Sequence, residues 1–355
     1  MAATITTLTS NVTAPVNYVL MRGLLSAARK RLPYFNGTLP GSLEKHQGSA
    51  SVKWRRIENL APATTALGEV TGTAAFGMGR NAVQATVTDV TAAIAKYGNW
   101  ILVTEELDLF NVNTRAAQLL DTLGANSGES LNILARDVFD AATNVRYAGT
   151  ATANTNVVTA ISLNDIKYTV NQLNRQSAMK FTSMGTGSRN IGTSPIREAY
   201  YGIVHPDVEE DIRSMTGFIS VEQYGGYTST EPGEFGTVAG VRFSTTEIAP
   251  ISTGAGTTTA TGFRGSTNIL NDVYSTFIYG KEAVGTVGLG ENHTKEIYMM
   301  GERVPAIQII NKPLGSAGAG DPFNEIGSLA WKAWFAGKIL NESWIWKIRS
   351  LSADL

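Results

Sequence analysis

The residues of this chain that could carry out catalysis do not form the pattern of a known active site. The three histidines, His46, His205 and His293, are far apart and lack the spacing of zinc ligands. Glu105 and Glu106 offer two carboxylates, but adjacent side chains on a strand point to opposite faces, so they cannot form an acid–base dyad alone. We therefore predict that the chain is not an enzyme.

Two other patterns that could bind a ligand have a plainer interpretation. Residues 77–82 (Gly-Met-Gly-Arg-Asn-Ala) are similar to a dinucleotide-binding loop, but a strand pattern follows them where that site needs a helix. The acids that follow Pro206 could hold a cation, yet acids are also favoured at the start of a helix. The chain has no cysteine, which excludes disulfides and thiolate metal sites. We predict no cofactor and no metal.

Basic residues are concentrated near the start of the chain. Residues 1–58 carry six more basic than acidic groups, although the whole chain has a formal net charge of −1. The run at 29–31 could contact a neighbouring subunit, bind DNA phosphates in a salt-sensitive way, or compensate the dipole at the end of a helix. The candidate contact residues are Arg22, Arg29, Lys30 and Arg31, followed by Lys53, Trp54, Arg55 and Arg56.

These basic residues lie on a predicted helix near the start of the chain and on a predicted extended ribbon. Residues 1–16 are typical of an arm, and residues 17–31 predict a helix that Pro33 ends. Residues 50–92 predict a two-stranded ribbon in which Val52, Trp54 and Arg56 share one face of the first strand. An isolated ribbon is marginally stable in water, so we expect it to lie on another surface.

The rest of the chain predicts a mixed domain. Residues 93–104 predict a strand, and an apolar stripe with helical spacing predicts a helix from Thr114 to about Tyr147. A helix starting at Ser162, a strand at 201–205 and a helix at 206–213 follow. The pattern then predicts a strand at 304–310 and a half-buried strand at 343–349, with Trp344, Trp346 and Ile348 on one face.

The composition favours a protein that associates with itself. Charged residues make up only 17% of the chain, so a monomer would expose much neutral surface. The first ten residues lack the pattern of a signal peptide, and no apolar run approaches the roughly 18 residues of a membrane span. With no cysteine, assembly in a reducing cytoplasm is expected, and no membrane partner is predicted.

Several short segments, in order along nearly the whole chain, resemble the HK97-like capsid proteins of tailed bacteriophages. More narrowly, they are similar to the phage N4-type major capsid protein family. The segments are 97–100 with 104–107, 123–124, 134–138, 147–149, 201–206, 233–236, 240–243, 330–334 and 338–340.

This resemblance implies an α+β HK97-like fold. The implied parts are an N-terminal arm at 1–49, an extended E-loop at 50–92, a peripheral domain with a long spine helix at 93–160 and 291–355, and an axial domain at 161–290. It also implies hexamers and pentamers that build an icosahedral virion around double-stranded DNA. Portal, scaffolding and decoration proteins are further expected partners.

The basic face of the ribbon needs an acidic partner on the neighbouring subunit. We predict Glu105, Glu106, Asp108 or Asp121 for this role, with a solvated charged strand as the alternative. Two other functions stay open. One is an encapsulin-like compartment that shares the fold, and the other is a monomeric β-rich protein that binds or hydrolyses glycans.

Overall fold

The computed structural model describes residues 33–35, 37–41, 50–58, 60–64, 84–106, 115–181, 198–223, 233–258, 261–265, 270–287, 307–313, 321, 323 and 325–354. The helices are α1 (Arg115–Asp140), α2 (Leu163–Arg175) and α3 (Pro206–Arg213). The strands are β1 (Leu39–Gly41), β2 (Ser51–Ile57), β3 (Val87–Ala93), β4 (Ala95–Thr104), β5 (Val145–Tyr147), β6 (Tyr200–Val204), β7 (Ile219–Ser220), β8 (Glu234–Val238), β9 (Val241–Thr245), β10 (Ile251–Ser252), β11 (Val273–Tyr279), β12 (Val284–Val287), β13 (Ile307–Lys312), β14 (Ile326–Phe335), β15 (Gly337–Ile339) and β16 (Ile345–Ser350).

The largest sheet is mixed and has helices on both faces. Its strand order is β5-β16-β11-β6-β9-β8-β7, with β10 paired to β11. On one face Phe139, near the end of α1, packs edge-on against Phe277 of β11, with ring centroids 5.9 Å apart. On the other face Ile166 of α2 and Val208 of α3 share a core with Ile278. Side chains therefore alternate between two cores, and every residue of β11 is buried.

A smaller sheet, in the order β13-β14-β4, packs against the middle of α1. Leu123 of α1 lies in one core with Trp331 and Phe335 of β14. The indole nitrogen of Trp331 donates to Oδ1 of Asn126 at 3.0 Å, which satisfies the polar atom of a buried ring. The helix α1 therefore covers only one face of this sheet.

The two-stranded ribbon consists of β2 and β3, antiparallel from Ser51↔Ala93 to Ile57↔Val87. Its base rests on a third sheet, in the order β1-β12-β15. Trp54 fills the contact because two glycines make room for its ring. A Cβ atom added at either Gly41 or Gly285 would lie 2.8 Å from a carbon of that indole.

The longest helix ends earlier than its sequence pattern predicts. It stops at Asp140 instead of continuing to Tyr147, and residues 145–147 form β5, which pairs in parallel with β16. The amide of Asn144 donates to the backbone oxygen of Glu342 at 2.6 Å, so the connecting segment is held extended. Strand pairing across the tertiary fold has overridden a local helical periodicity.

The strand predicted at 343–349 is present, but it starts later and is not half-buried. The strand begins at Ile345, and Trp344 lies in a 3₁₀ turn before it. Both Lys347 and Ile348 are buried, because β16 lies inside the large sheet between β5 and β11. Of its two strand partners, β5 lies in the peripheral domain that the resemblance implies, and β11 lies in the implied axial domain.

Other local predictions are confirmed. The structure has the strand Ser51–Ile57 and the helix Pro206–Arg213 at the predicted bounds. A helix starts at Ser162, as predicted, and the structure shows that this residue caps α2 through a reciprocal capping box with Asp165. In the part of the chain that the structure describes, no helix has the length and apolar character needed to cross a membrane.

Candidate assembly surfaces

One candidate surface is the exposed face of the ribbon. Lys53, Arg55 and Ile57 alternate with buried residues along β2, as the pattern predicts. Arg55 forms an ion pair with Asp89 of β3, with Nε 2.9 Å from Oδ1. This hydrogen bond raises the pKa of Arg55 and lowers that of Asp89. The outer end is apolar, since Ile57 is 68% exposed and Val87, its partner, is also exposed.

The opposite face of β2 belongs to its own subunit. Trp54 is only 6% exposed and packs with Val52, Leu340 and other apolar side chains. Arg56 forms an ion pair with Glu58 and donates to the backbone oxygen of Leu340 at 3.1 Å. Trp54 therefore has little surface left for a neighbouring subunit, and we correct its assignment to an anchor of the ribbon. Lys53 and Arg55 keep theirs as a prediction.

A second candidate surface is the outer face of the small sheet, away from α1. Trp100 of β4 is 61% exposed, and Leu102 lies two residues further along the same face. Ala330 pairs with Trp100 on one side and with Ile310 on the other, and Ile310 and Ile326 are exposed as well. Contiguous exposed apolar side chains of this kind mark interaction sites.

Sequence reasoning missed this surface. In β4 apolar residues occupy both faces, because Ile101 points towards the core while Trp100 and Leu102 point outward. Such a run normally indicates a strand buried on both sides. This discrepancy between pattern and exposure marks the outer face as a candidate assembly surface.

The predicted acidic partners lie in different places. Glu105 and Glu106 are exposed directly after β4, and Asp121 is exposed on α1. Asp108 lies outside the described residues, and so does most of the N-terminal arm. The basic arm residues outside the described part are Arg22, Arg29, Lys30 and Arg31.

The acidic residues at the start of α3 take part in a network of hydrogen bonds and ion pairs. The carboxylate of Asp207 accepts from Nη1 of Arg264 at 2.6 Å and from the hydroxyl of Tyr274 at 2.8 Å. His205 caps the helix, with its Nδ1 accepting from the backbone N–H of Asp207 at 3.2 Å. Burial lowers the pKa of His205, so the imidazole is held in the neutral form that this bond requires.

The same region holds the end of the described chain. The hydroxyl of Ser352 donates to the backbone oxygen of Asp207 at 2.7 Å, and the backbone N–H of Ala353 donates to Asp211. Among the residues that the structure describes, no group of three or more histidine, cysteine or acidic side chains is arranged to hold a metal ion. Asp207, Tyr274 and Ser352 are hydrogen-bonded within this cluster, which is the behaviour of a fold-stabilising network.

A network of charges that the sequence pattern did not reveal joins α1 to the large sheet. Asp140 Oδ1 lies 3.1 Å from Nζ of Lys347 and 3.3 Å from Nη2 of Arg349. Lys347 also donates to the backbone oxygen of Asp140 at 2.8 Å. Two cations at the C-terminal end of α1 suit the helix dipole and fix the spine helix to β16.

Comparisons with known proteins agree with this architecture. The family model described as phage capsid protein matches residues 86–348. The capsid of the Helicobacter pylori bacteriophage KHP40 aligns with a TM-score of 0.56 at 11% identity, over 91% of this chain and 91% of that one. The capsid of the Ralstonia phage GP4 aligns with a TM-score of 0.54 at 11% identity, over 86% and 84%.

The capsid of the cyanophage P-SCSP1u aligns with a TM-score of 0.53 at 12% identity, over 89% of this chain and 87% of that one. The comparison with curated protein sequences found no match. At these identities the structures establish the fold, which is the HK97-like fold of phage capsid shells.

The molecule is therefore a shell subunit with a long spine helix, a ribbon and a large central sheet. The chain belongs to the phage capsid protein family, because the family model covers well over half of its length. It is a capsid protein of the virion, and it forms the phage head shell by associating with its own copies.

Proposed function

We propose that this chain is the major capsid protein of an N4-type phage and assembles as hexamers and pentamers around double-stranded DNA. The observation that carries the proposal is that the base of the ribbon is buried and its outer end is exposed. Its base is anchored through Trp54, while its outer end exposes Ile57, Leu60 and Val87. A projection of this kind gains its stabilising burial only from another subunit.

The charges of the ribbon support the same role. Lys53 and Arg55 lie on the exposed face. The partners we propose for them on a neighbouring subunit are Glu105, Glu106, Asp108 or Asp121, of which Glu105, Glu106 and Asp121 are exposed in the structure. Contacts between exposed charges are weak individually and sensitive to salt. Their main contribution would be to set the register in which the apolar end of the ribbon docks.

The remaining roles follow from the same proposal. The chain has no enzymatic activity, and it assembles in the cytoplasm of the host bacterium with portal, scaffolding and possibly decoration proteins. The basic arm, Arg22 with residues 29–31, contacts packaged DNA through phosphates or contacts a neighbouring subunit. The proposed divisions remain an arm at 1–49, an E-loop at 50–92, a peripheral domain at 93–160 and 291–355, and an axial domain at 161–290. The pairing of β16 with β11 favours placing β16 with the axial domain.

Assembly of the purified chain tests the proposal most directly. Negative-stain microscopy and light scattering should show closed shells or rings of subunits. A strictly monomeric chain under assembly conditions would contradict the proposal and favour the glycan-binding alternative. Particles from infected cells that contain cargo protein instead of DNA would favour an encapsulin-like compartment.

The contribution of the ribbon has its own test. We expect Lys53→Glu with Arg55→Glu to reduce the yield of particles at least tenfold, while the circular dichroism spectrum of the subunit stays unchanged. Lys167→Glu is the matched control, since Lys167 is also exposed but lies on α2. Equal particle yields from both variants would show that the basic face of the ribbon makes no assembly contact.

A further inference from the structure

The free edge of β4 is the most unusual feature of the small sheet. β4 lies at the end of the strand order, and within the described ranges no strand pairs with it on the side away from β14. It is ten residues long, and most of them are exposed, including Trp100 and Leu102. A long apolar edge of this kind recruits another strand unless something covers it.

We propose that β4 pairs with β4 of a second copy, antiparallel and about a two-fold axis. The inference rests on the proposed self-assembly, which supplies the second copy. It would join two three-stranded sheets into one of six strands, in the order β13-β14-β4 and then the same strands of the partner in reverse.

The backbone of β4 decides which residues can face each other. The N–H of Trp100 donates to Oδ1 of its neighbour Asn99 at 2.9 Å, so it points away from β14. Because backbone groups alternate between the two sides of a strand, the even-numbered residues present theirs to the free edge. In an antiparallel pair, the even-numbered residues of the two strands must therefore lie opposite one another. In this contact the N–H of Trp100 would donate to the second copy instead of to Asn99.

One even register makes β4 most complementary to itself. It places Trp100 opposite Leu102, and the two-fold axis makes this pair occur twice. A shift by two residues in one direction places Trp100 opposite its own copy and Leu102 opposite Gly98. A shift in the other direction places Leu102 opposite its own copy and Trp100 opposite Thr104. Each shift leaves one apolar pair instead of two, and aromatic–aliphatic pairs across strands are stabilising.

The symmetry of this contact determines where it would lie in a shell. Neighbours within a hexameric or pentameric ring meet through two different surfaces, whereas a two-fold contact uses the same surface twice. The β4 pair would therefore connect one ring to the next, leaving the ribbon for contacts within a ring. The two surfaces can thus be impaired separately.

Disulfide formation tests the register, since the natural chain has no cysteine. In the proposed register Ile101 lies opposite its own copy at a Cα distance of about 4.5 Å, which a disulfide can span. Oxidised particles of Ile101→Cys should run as covalent dimers on a non-reducing gel. Tyr97→Cys is the matched control on the same strand, because its two copies would be about 26 Å apart.

Monomers from Ile101→Cys in intact particles, or equal dimers from both variants, would overturn the pairing. If the pairing is overturned but the unmodified chain forms particles in the same experiment, the proposed function is retained. Failure of the unmodified chain to form any particle would instead count against the proposed function itself.

Discussion

The strands β11 and β4 show how differently two strands of one subunit are stabilised. β11 lies inside the large sheet, and all seven of its residues are buried between α1 on one side and α2 and α3 on the other. β4 is longer and also rich in apolar residues, yet Trp100 and Leu102 on its outer face are exposed. The first strand is fully covered within its own chain, whereas the second would be covered by the contact that we propose with a second copy.

This difference separates folding from assembly in the same molecule. The apolar area of β11 stabilises the folded subunit, whereas the outer face of β4 and the end of the ribbon add stability only when another subunit covers them. Variants in the two regions should therefore affect different measurements. The predictions below follow this contrast. They begin with one matched variant in each region, and the remaining variants then follow from the largest expected effect on stability to the smallest.

Phe277→Ala should have the largest effect on the subunit. The ring is fully buried and packs edge-on against Phe139 and Tyr34. Its removal leaves a cavity in the core, and we expect a loss of about 3–5 kcal/mol in chemical denaturation.

Trp100→Ala is the counterpart of Phe277→Ala on β4, and it should change the unfolding free energy by less than about 0.5 kcal/mol. The same variant should lower the particle yield in light scattering. A large destabilisation of the subunit by Trp100→Ala would show that the two strands do not differ in the proposed way.

Lys347→Met should lower the free energy of unfolding by an intermediate amount. The ammonium group is buried in the large sheet, where it donates to both the carboxylate and the backbone oxygen of Asp140. Loss of these charge-assisted bonds should cost about 1.5–3 kcal/mol, measured by urea denaturation. Asp140→Asn keeps a hydrogen-bond acceptor and should cost less, so an equal loss in both variants would indicate that charge is not the important factor.

The pH dependence of stability should also distinguish the large sheet from the ribbon. Burial lowers the pKa of His205 in the folded state below its ordinary value of 6.5. Its contribution is therefore complete above pH 6.5 and is lost as the pH falls below that value, because the unfolded state binds the proton more readily. Thermal melts between pH 8 and pH 5 should show a falling Tm, and His205→Asn, which can still cap α3, should flatten the profile.

The smallest effect should come from the ion pair at the exposed face of the ribbon. Arg55 lowers the pKa of Asp89 below its ordinary value of 3.8, so the contribution of the pair is present above pH 3.8 and is lost only below it. Both groups are solvent-exposed, so Asp89→Asn should leave the melting temperature of the subunit unchanged at neutral pH. A measurable shift would mean that the ribbon is stabilised by its own subunit more than the geometry indicates.

Part of the fold was predictable because it depends on residues near each other in the chain. The helix start at Ser162, the proline at the first position of α3 and the alternation of β2 are all local patterns, and the structure confirms them. The identity of the fold came from short segments in a particular order. The end of α1 was not predictable, because a distant strand competes with the helix for residues 145–147.

The sequence by itself determined that the chain forms an extended ribbon, a long helix and a mixed domain, since periodicity and turn residues act locally. Only the tertiary structure decided that Trp54 stays within its own subunit while Trp100 faces outward. Both are tryptophans in strands, and no local pattern distinguishes them. Their fates differ because Gly41 and Gly285 make room for one ring, whereas α1 covers only the opposite face of the strand that carries the other.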